Sequence, residues 1–115
     1  MFLMSIFHCL FFSIFFSNFS VELHLQKNQL TGSLPQTFNN MTNLQLLLLD
    51  HNMLTGSIPS EIGLLTFLEE FRAFDTALTG VVPAGLCHLA DEFELQLVAL
   101  DCAHVSNCTC CDECF

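Results

Sequence analysis

The sequence has neither tryptophan nor tyrosine, and only two side chains of fixed positive charge, Lys27 and Arg72, stand against twelve carboxylates. A formal net charge of −10 repels phosphate backbones, which argues against nucleic-acid recognition. The same scarcity of cations removes the basic patch through which proteins dock on anionic lipid. Glycine-rich loops that could cradle a phosphate are missing. His24, His51, His88 and His104 could serve as bases, but no serine or cysteine sits in a recognised nucleophile motif. Asp50 and His51 are neighbours in sequence, and on a strand neighbours face opposite sides, so they are not expected to act together. Glu69-Glu70 and Asp91-Glu92 read as solvated faces. A catalytic centre, a cofactor and a bound metal are therefore not expected.

What is present is apolar. Hydrophobic residues make up 52% of the 115 residues, which excludes a disordered polar chain and allows one small domain. Residues 1–20 hold seven phenylalanines and no formally charged side chain. This run reads as a signal peptide or a membrane anchor, the alternative being a mis-assigned start. No Lys or Arg precedes it, and Ser13, Ser17 and Ser20 are its small candidates for a cleavage position.

The organising feature is a repeat. Asn28, Asn52 and Thr76 are 24 apart, as are Leu30, Leu54 and Leu78, then Gly32, Gly56 and Gly80, then Pro35, Pro59 and Pro83. The shared words are LTGSLP, LTGSIP and LTGVVP. In the second copy Leu47 and Leu49 alternate with Leu48 and Asp50 as a short strand does. Asn52 follows at a bend, where its amide can pair backbone groups that the bend leaves open. Ile62, Leu65 and Leu68 then return at helical spacing. One such coil cannot bury its own apolar edge, so the copies must stack. Stacking predicts a parallel sheet and the core columns Leu23, Leu47, Phe71; Leu25, Leu49, Ala73; Leu30, Leu54, Leu78; and Leu34, Ile58, Val82.

These words resemble the plant-type leucine-rich repeat, LxxLxLxxNxLTGxIPxxLxxL, over about residues 20 to 89. The departures are Ser20 where a leucine is expected, Thr76 in place of Asn, and Val82 in place of Ile. After Leu89 the segment ADEFELQLVALDC keeps a strand-like alternation and is expected to lose the register. The resemblance implies an α/β solenoid, a right-handed coil with a short parallel sheet on its concave side. It further implies an extracellular recognition module of the receptor-like, L-domain-like type. The expected organisation is residues 1–20 as leader or anchor, 21–89 as three repeats, and 90–115 as a degenerate repeat with a cysteine-rich cap.

Six cysteines, Cys87, Cys102, Cys108, Cys110, Cys111 and Cys114, crowd the C-terminal end, whereas Cys9 lies in the apolar run. The first reading is a disulfide cap over the last coil. Fifteen pairings exist and the sequence does not choose among them, although adjacent Cys110 and Cys111 are poor partners for each other. The alternatives are a zinc site drawn from C-x-C-C-x-x-C with His104, and a redox pair at Cys111 and Cys114. The stretch VALDCAHVSNCTCCDECF resembles the caps of diatom leucine-rich-repeat proteins. Sequons at Asn40 and Asn107 agree with secretion.

Outward strand positions would form the binding face, with the rows Glu22, Leu46, Glu70; His24, Leu48, Arg72; and Gln26, Asp50, Phe74. His24, Gln26, Leu48, Asp50, Arg72 and Phe74 are the candidate ligand contacts, for a protein or a glycan. Membrane attachment through residues 1–20 and self-association fit the same reading. Three strands offer roughly 250 Å², against the about 800 Å² per partner of a stable protein interface. A truncated fragment of a longer array, or a zinc or redox tail on an inert scaffold, are the competing readings.

Overall fold

A computed structural model describes residues 21–36 and 41–115. Four successive coils each place one strand in a parallel sheet. The strands are β1 (Val21–His24), β3 (Leu44–Leu48), β5 (Glu70–Arg72) and β8 (Leu97–Leu100), and the short β10 (Glu113–Cys114) completes the order β1-β3-β5-β8-β10. A second parallel sheet stacks β2 (Thr31–Ser33), β4 (Met53–Gly56) and β6 (Ala77–Leu78). A third pairs β7 (Gly80–Val81) with β9 (Val105–Ser106). The register follows the sequence period: Leu23, Leu47 and Phe71 are lateral neighbours, and so are His24, Leu48 and Arg72.

The core occupies the space between these sheets. Of the predicted columns, every member but Leu25 is buried, and Leu25 packs partly buried against the cluster. Ile62, Leu65 and Leu68 are fully buried on the return path. In the second coil that path includes a 3-10 helix at Ser60–Leu64. In the third it is the nine-residue helix α1 (Ala84–Glu92), which starts behind Pro83 and buries Leu86, Cys87 and Leu89. Proline suits that position because its fixed φ opens a helix and its missing N–H costs no bond there.

The expected loss of register after Leu89 does not occur. Val98 pairs with Phe71, and Arg72 with Ala99. The period merely lengthens, because α1 takes more residues than the 3-10 turn while still returning the chain to the sheet edge. Val98, Leu100 and Val105 extend the core into a fourth coil.

Two left-handed turns recur in each of the first three coils. One lies at Lys27, His51 and Asp75, with φ of 56°, 57° and 51°, and the other at Gly32, Gly56 and Gly80, with φ of 85°, 80° and 92°. The first turn leaves backbone groups unpaired, and Asn52 satisfies them across two coils. Its Nδ2 donates to Leu25 O and Leu49 O, both at 2.9 Å. Its Oδ1 accepts from Leu30 N at 3.0 Å. Thr76 replaces only part of this, its hydroxyl donating to Ala73 O at 2.9 Å. The fourth coil makes up the difference. Asp101 accepts Asp75 N on Oδ1 at 3.1 Å and Thr76 N on Oδ2 at 3.2 Å.

The return paths of adjacent coils touch backbone to backbone. A Cβ placed on Gly63 would lie 2.9 Å from Gly85 Cα, closer than real contacts allow.

This packing sets the expected cost of three substitutions. Asn52→Ala strands the buried Leu30 N–H and the buried Leu49 carbonyl, and should cost about 2–4 kcal/mol in urea unfolding. Asn28→Ala, whose amide bonds only exposed carbonyls of its own turn, should cost under about 1 kcal/mol by the same measurement. Gly63→Ala should cost about 1–3 kcal/mol, since backbone cannot move aside as a flexible side chain can.

Candidate functional site

The outward rows of the main sheet exist as aligned, and the fourth coil extends them. Leu97 continues the row of Glu22, Leu46 and Glu70, while Ala99 and Glu113 continue that of His24, Leu48 and Arg72. Backbone bonds from Lys27 N to Asp50 O at 2.9 Å and from His51 N to Phe74 O at 3.1 Å carry the alignment into the turn.

The face is less open than its rows imply. Leu48 is 8% and Asp50 6% exposed, so neither is the exposed contact that alternation predicts. Leu48 sits mid-row on an inner strand between His24 and Arg72, and side chains about 4.8 Å apart in such a row cover one another. Asp50 is drawn in by its neighbour, with His51 Nδ1 lying 2.8 Å from Asp50 Oδ2. That contact corrects the expectation that Asp50 and His51 face apart. β3 ends at Leu48, and the positive φ of His51 turns its ring back toward the carboxylate. The same ring reaches Asp75 Oδ2 at 3.5 Å through Nε2.

Charge on the face is arranged in local pairs. His24 Nε2 lies 3.1 Å from Glu22 Oε2. Arg72 Nε lies 3.1 Å from Glu70 Oε2, an ion pair whose geometry falls short of a hydrogen bond. Arg72 is thus already engaged by a carboxylate. Gln26 is half-buried beside them, and its Oε1 has no hydrogen-bond partner among the described residues.

Phe74 is not a free contact either. Phe115 stacks on it with centroids 3.9 Å apart and planes 16° from parallel, and His51 meets its edge at 5.3 Å. The result is an aromatic cluster at the turn end of the sheet, flanked by Asp50 and Asp75, with Phe115 itself 57% exposed. Sequence reasoning missed Phe115 because nothing in the 24-residue period reaches the last residue. The signal was available only once Cys114 was known to be held beside Leu100, a pairing that sets Phe115 N on Leu100 O at 3.0 Å.

The six C-terminal cysteines form three disulfides: Cys87–Cys110, Cys102–Cys114 and Cys108–Cys111. Cys110 and Cys111 bond to other partners, as expected of adjacent residues. The suggested redox pair of Cys111 with Cys114 is not formed; each has a different partner. Cys87–Cys110 ties α1 to the closing loop, and Cys102–Cys114 ties the turn after β8 to β10. Asp112 adds a bond from Val98 N at 2.8 Å. Together they cover the open end of the fourth coil.

A sequence model of the leucine-rich repeat matches residues 21–41 and 43–65. The chain is a leucine-rich-repeat protein. Among solved structures, this leucine-rich-repeat chain is similar to the plant peptide hormone receptor RGFR1 in complex with RGF2, at 35% identity and a TM-score of 0.67 over 81% of this chain. It is also similar to a chain of the BIR3–SERK2 complex from Arabidopsis thaliana, at 30% identity and a TM-score of 0.62 over 71% of this chain. A third is the Arabidopsis receptor kinase HAESA in complex with the peptide hormone IDA and the co-receptor SERK1, at 34% identity and a TM-score of 0.65 over 69% of this chain. The chain spans 14%, 43% and 13% of those three chains. No curated protein matches it. Residues 1–20 and Asn40 lie outside the described residues, and no helix among the described residues is long and apolar enough to cross a membrane.

Reduction should lower the melting temperature of the repeats markedly. The three disulfides hold a cap with little core of its own, and each contributes roughly 2–4 kcal/mol. Scanning calorimetry with and without dithiothreitol checks this, and an unchanged transition would mean that the cap is not held by its disulfides.

Proposed function

We propose that this leucine-rich-repeat chain is a non-catalytic extracellular recognition module that binds a short peptide segment across its main sheet. The observation that carries the reading is the aromatic cluster of His51, Phe74 and Phe115, set among carboxylates at the turn end of five parallel strands. Five strands spaced about 4.8 Å apart give a face about 19 Å wide. An extended peptide of about six residues spans roughly 20 Å. A whole protein surface needs about 800 Å², more than this face offers, so a peptide fits where a folded partner does not. Among the similar structures are a peptide hormone receptor in complex with RGF2 and a receptor kinase in complex with a peptide hormone and a co-receptor, which supports a ligand of the same class here.

The contacts proposed are His24, Gln26, Arg72 and Phe74, with Phe115 added and with Leu48 and Asp50 acting as a supporting layer beneath. Complementarity favours a basic ligand. The chain carries −10, Glu22 and Glu70 already offset His24 and Arg72, and Asp75 and Glu113 remain exposed along the face. Opposite charge raises the association rate and excludes acidic competitors. A ligand with Lys or Arg beside an apolar side chain matches both the carboxylates and the exposed Phe115 ring.

Secretion, or anchoring with the repeats outside the membrane, accounts for the disulfides, which persist in oxidising compartments. Asn107, exposed in an Asn-Cys-Thr sequon, is the proposed glycan site of the cap, and Asn40 is that of the first coil. Expression through a secretory pathway should give a product whose mobility rises on peptide-N-glycosidase treatment, an effect that Asn107→Gln reduces.

Panning a random hexapeptide library on the oxidised chain tests the binding reading. Enriched sequences should be rich in Lys or Arg, and their affinity should fall at least about tenfold for Phe115→Ala and for Asp75→Lys. Failure to enrich any sequence, or binding by either variant as tight as the parent's, would refute it.

A further inference from the structure

Two of the three disulfides, Cys87–Cys110 and Cys108–Cys111, lie against one another in the cap. The Sγ atoms of Cys87, Cys108 and Cys110 all lie within 4.8 Å of one another. Cys111 is joined to Cys108 by a single S–S bond, which brings a fourth sulfur to the same cluster. These four come from two separate elements, the buried face of α1 for Cys87 and the loop between β9 and β10 for the rest. Cys87 is buried and the other three are half-buried. The third disulfide, Cys102–Cys114, ties the turn after β8 to β10 and supplies no sulfur to the cluster.

We propose that reduction of Cys87–Cys110 and Cys108–Cys111 converts this cluster into a four-thiolate zinc site. Zinc held by four thiolates is tetrahedral with Zn–S bonds near 2.3 Å, which sets its sulfurs about 3.8 Å apart. Three sulfurs already within 4.8 Å need only small side-chain movements to meet that geometry. Cys111 swings in once its bond to Cys108 opens. Soft thiolates select zinc over calcium or magnesium.

The chemistry balances in two stages. Each of the two disulfides takes two electrons and two protons from a dithiol, which closes to its own disulfide, and four thiols result. Zn²⁺ then binds as the thiols deprotonate, releasing up to four protons to solvent. The covalent staple between α1 and the closing loop is replaced by a coordinate one that joins the same two elements. The cap keeps its fold under reducing conditions when zinc is present. Buried Cys87 makes this more than a surface chelate: the metal has to sit against the helix that closes the core. The inference is independent of peptide binding, because it involves none of the sheet residues.

The test uses the full chain reduced with a phosphine, which leaves as its oxide and does not compete for zinc as a dithiol does. Native mass spectrometry with equimolar zinc chloride should find one metal per chain. Cobalt(II) should give the thiolate charge-transfer absorption of a tetrahedral site. Zinc should raise the melting temperature that reduction has lowered. Cys87→Ser should weaken zinc by more than about 100-fold, since loss of a mere supporting group costs 10–100-fold. The double variant Cys102→Ser, Cys114→Ser and the single variant Cys9→Ser should each bind zinc as the parent does. Absence of bound zinc in the reduced parent would overturn the proposal. So would full affinity in Cys87→Ser, or an equal loss in the Cys102, Cys114 double variant.

Discussion

The carboxamide of Asn52 is the interaction on which the rest of the solenoid depends. A coil of this length must turn sharply after its strand, and the turn at His51 is left-handed, a conformation that a residue with a Cβ adopts only against a cost. The Leu30 N–H and the Leu49 carbonyl beside that turn are buried in the stack, so leaving either unpaired costs about 1–3 kcal/mol. Asn52 pairs them on both sides of the coil boundary, bonding Leu25 O and Leu30 N of the first coil and Leu49 O of its own. A single side chain thus fixes the lateral register of two coils. With the register fixed, the apolar columns fall on one another and the core closes.

The third coil shows what replaces that interaction when the residue changes. Thr76 has one hydroxyl, too short to reach across the boundary, and it bonds within its own turn. The open amides of Asp75 and Thr76 point at the fourth coil, and the Asp101 carboxylate accepts both. A carboxylate can only accept, so it suits a place where two N–H groups face it, and Asn suits one where carbonyls must be met as well. The fourth coil is therefore a working part of the stack, although its sequence departs from the pattern. Its longer return path through α1 still brings Val98 level with Phe71.

Most of the fold was legible because its determinants are local and periodic. Gly32, Gly56 and Gly80 mark positive φ, the leucine columns mark the core, and Asn52 marks the turn, each at a spacing visible in the sequence. The fourth coil was not legible, because the inserted helix shifts Val98 and Leu100 out of a strict count of 24, and a count ignores how many residues a helix absorbs per turn. The rows proposed for binding were legible as rows but not as an accessible surface. Leu48 alternates outward as predicted and is still buried, since exposure depends on the width of the neighbours and not on alternation alone. The cysteines announced a cap without announcing its pairs. Which sulfurs meet is set by where α1 and β10 end in space, and no spacing along the chain contains that.

The cap joins stability to recognition. Cys102–Cys114 holds the last strand beside β8, and one residue later Phe115 lies flat on Phe74. Asp101, between the same two strands in sequence, holds the turn at Asp75 that carries Phe74's flank. The aromatic and acidic end of the face is thus built from the third coil and from the residues that close the fourth. Loosening the cap should remove Phe115 from the face before it unravels the first two coils, whose register rests on Asn52 and not on any disulfide. Loss of the proposed binding would then precede loss of fold as the cap is opened, because the proposed site lies at the end of the stack where the covalent restraints, and not the repeat, set the positions of the side chains.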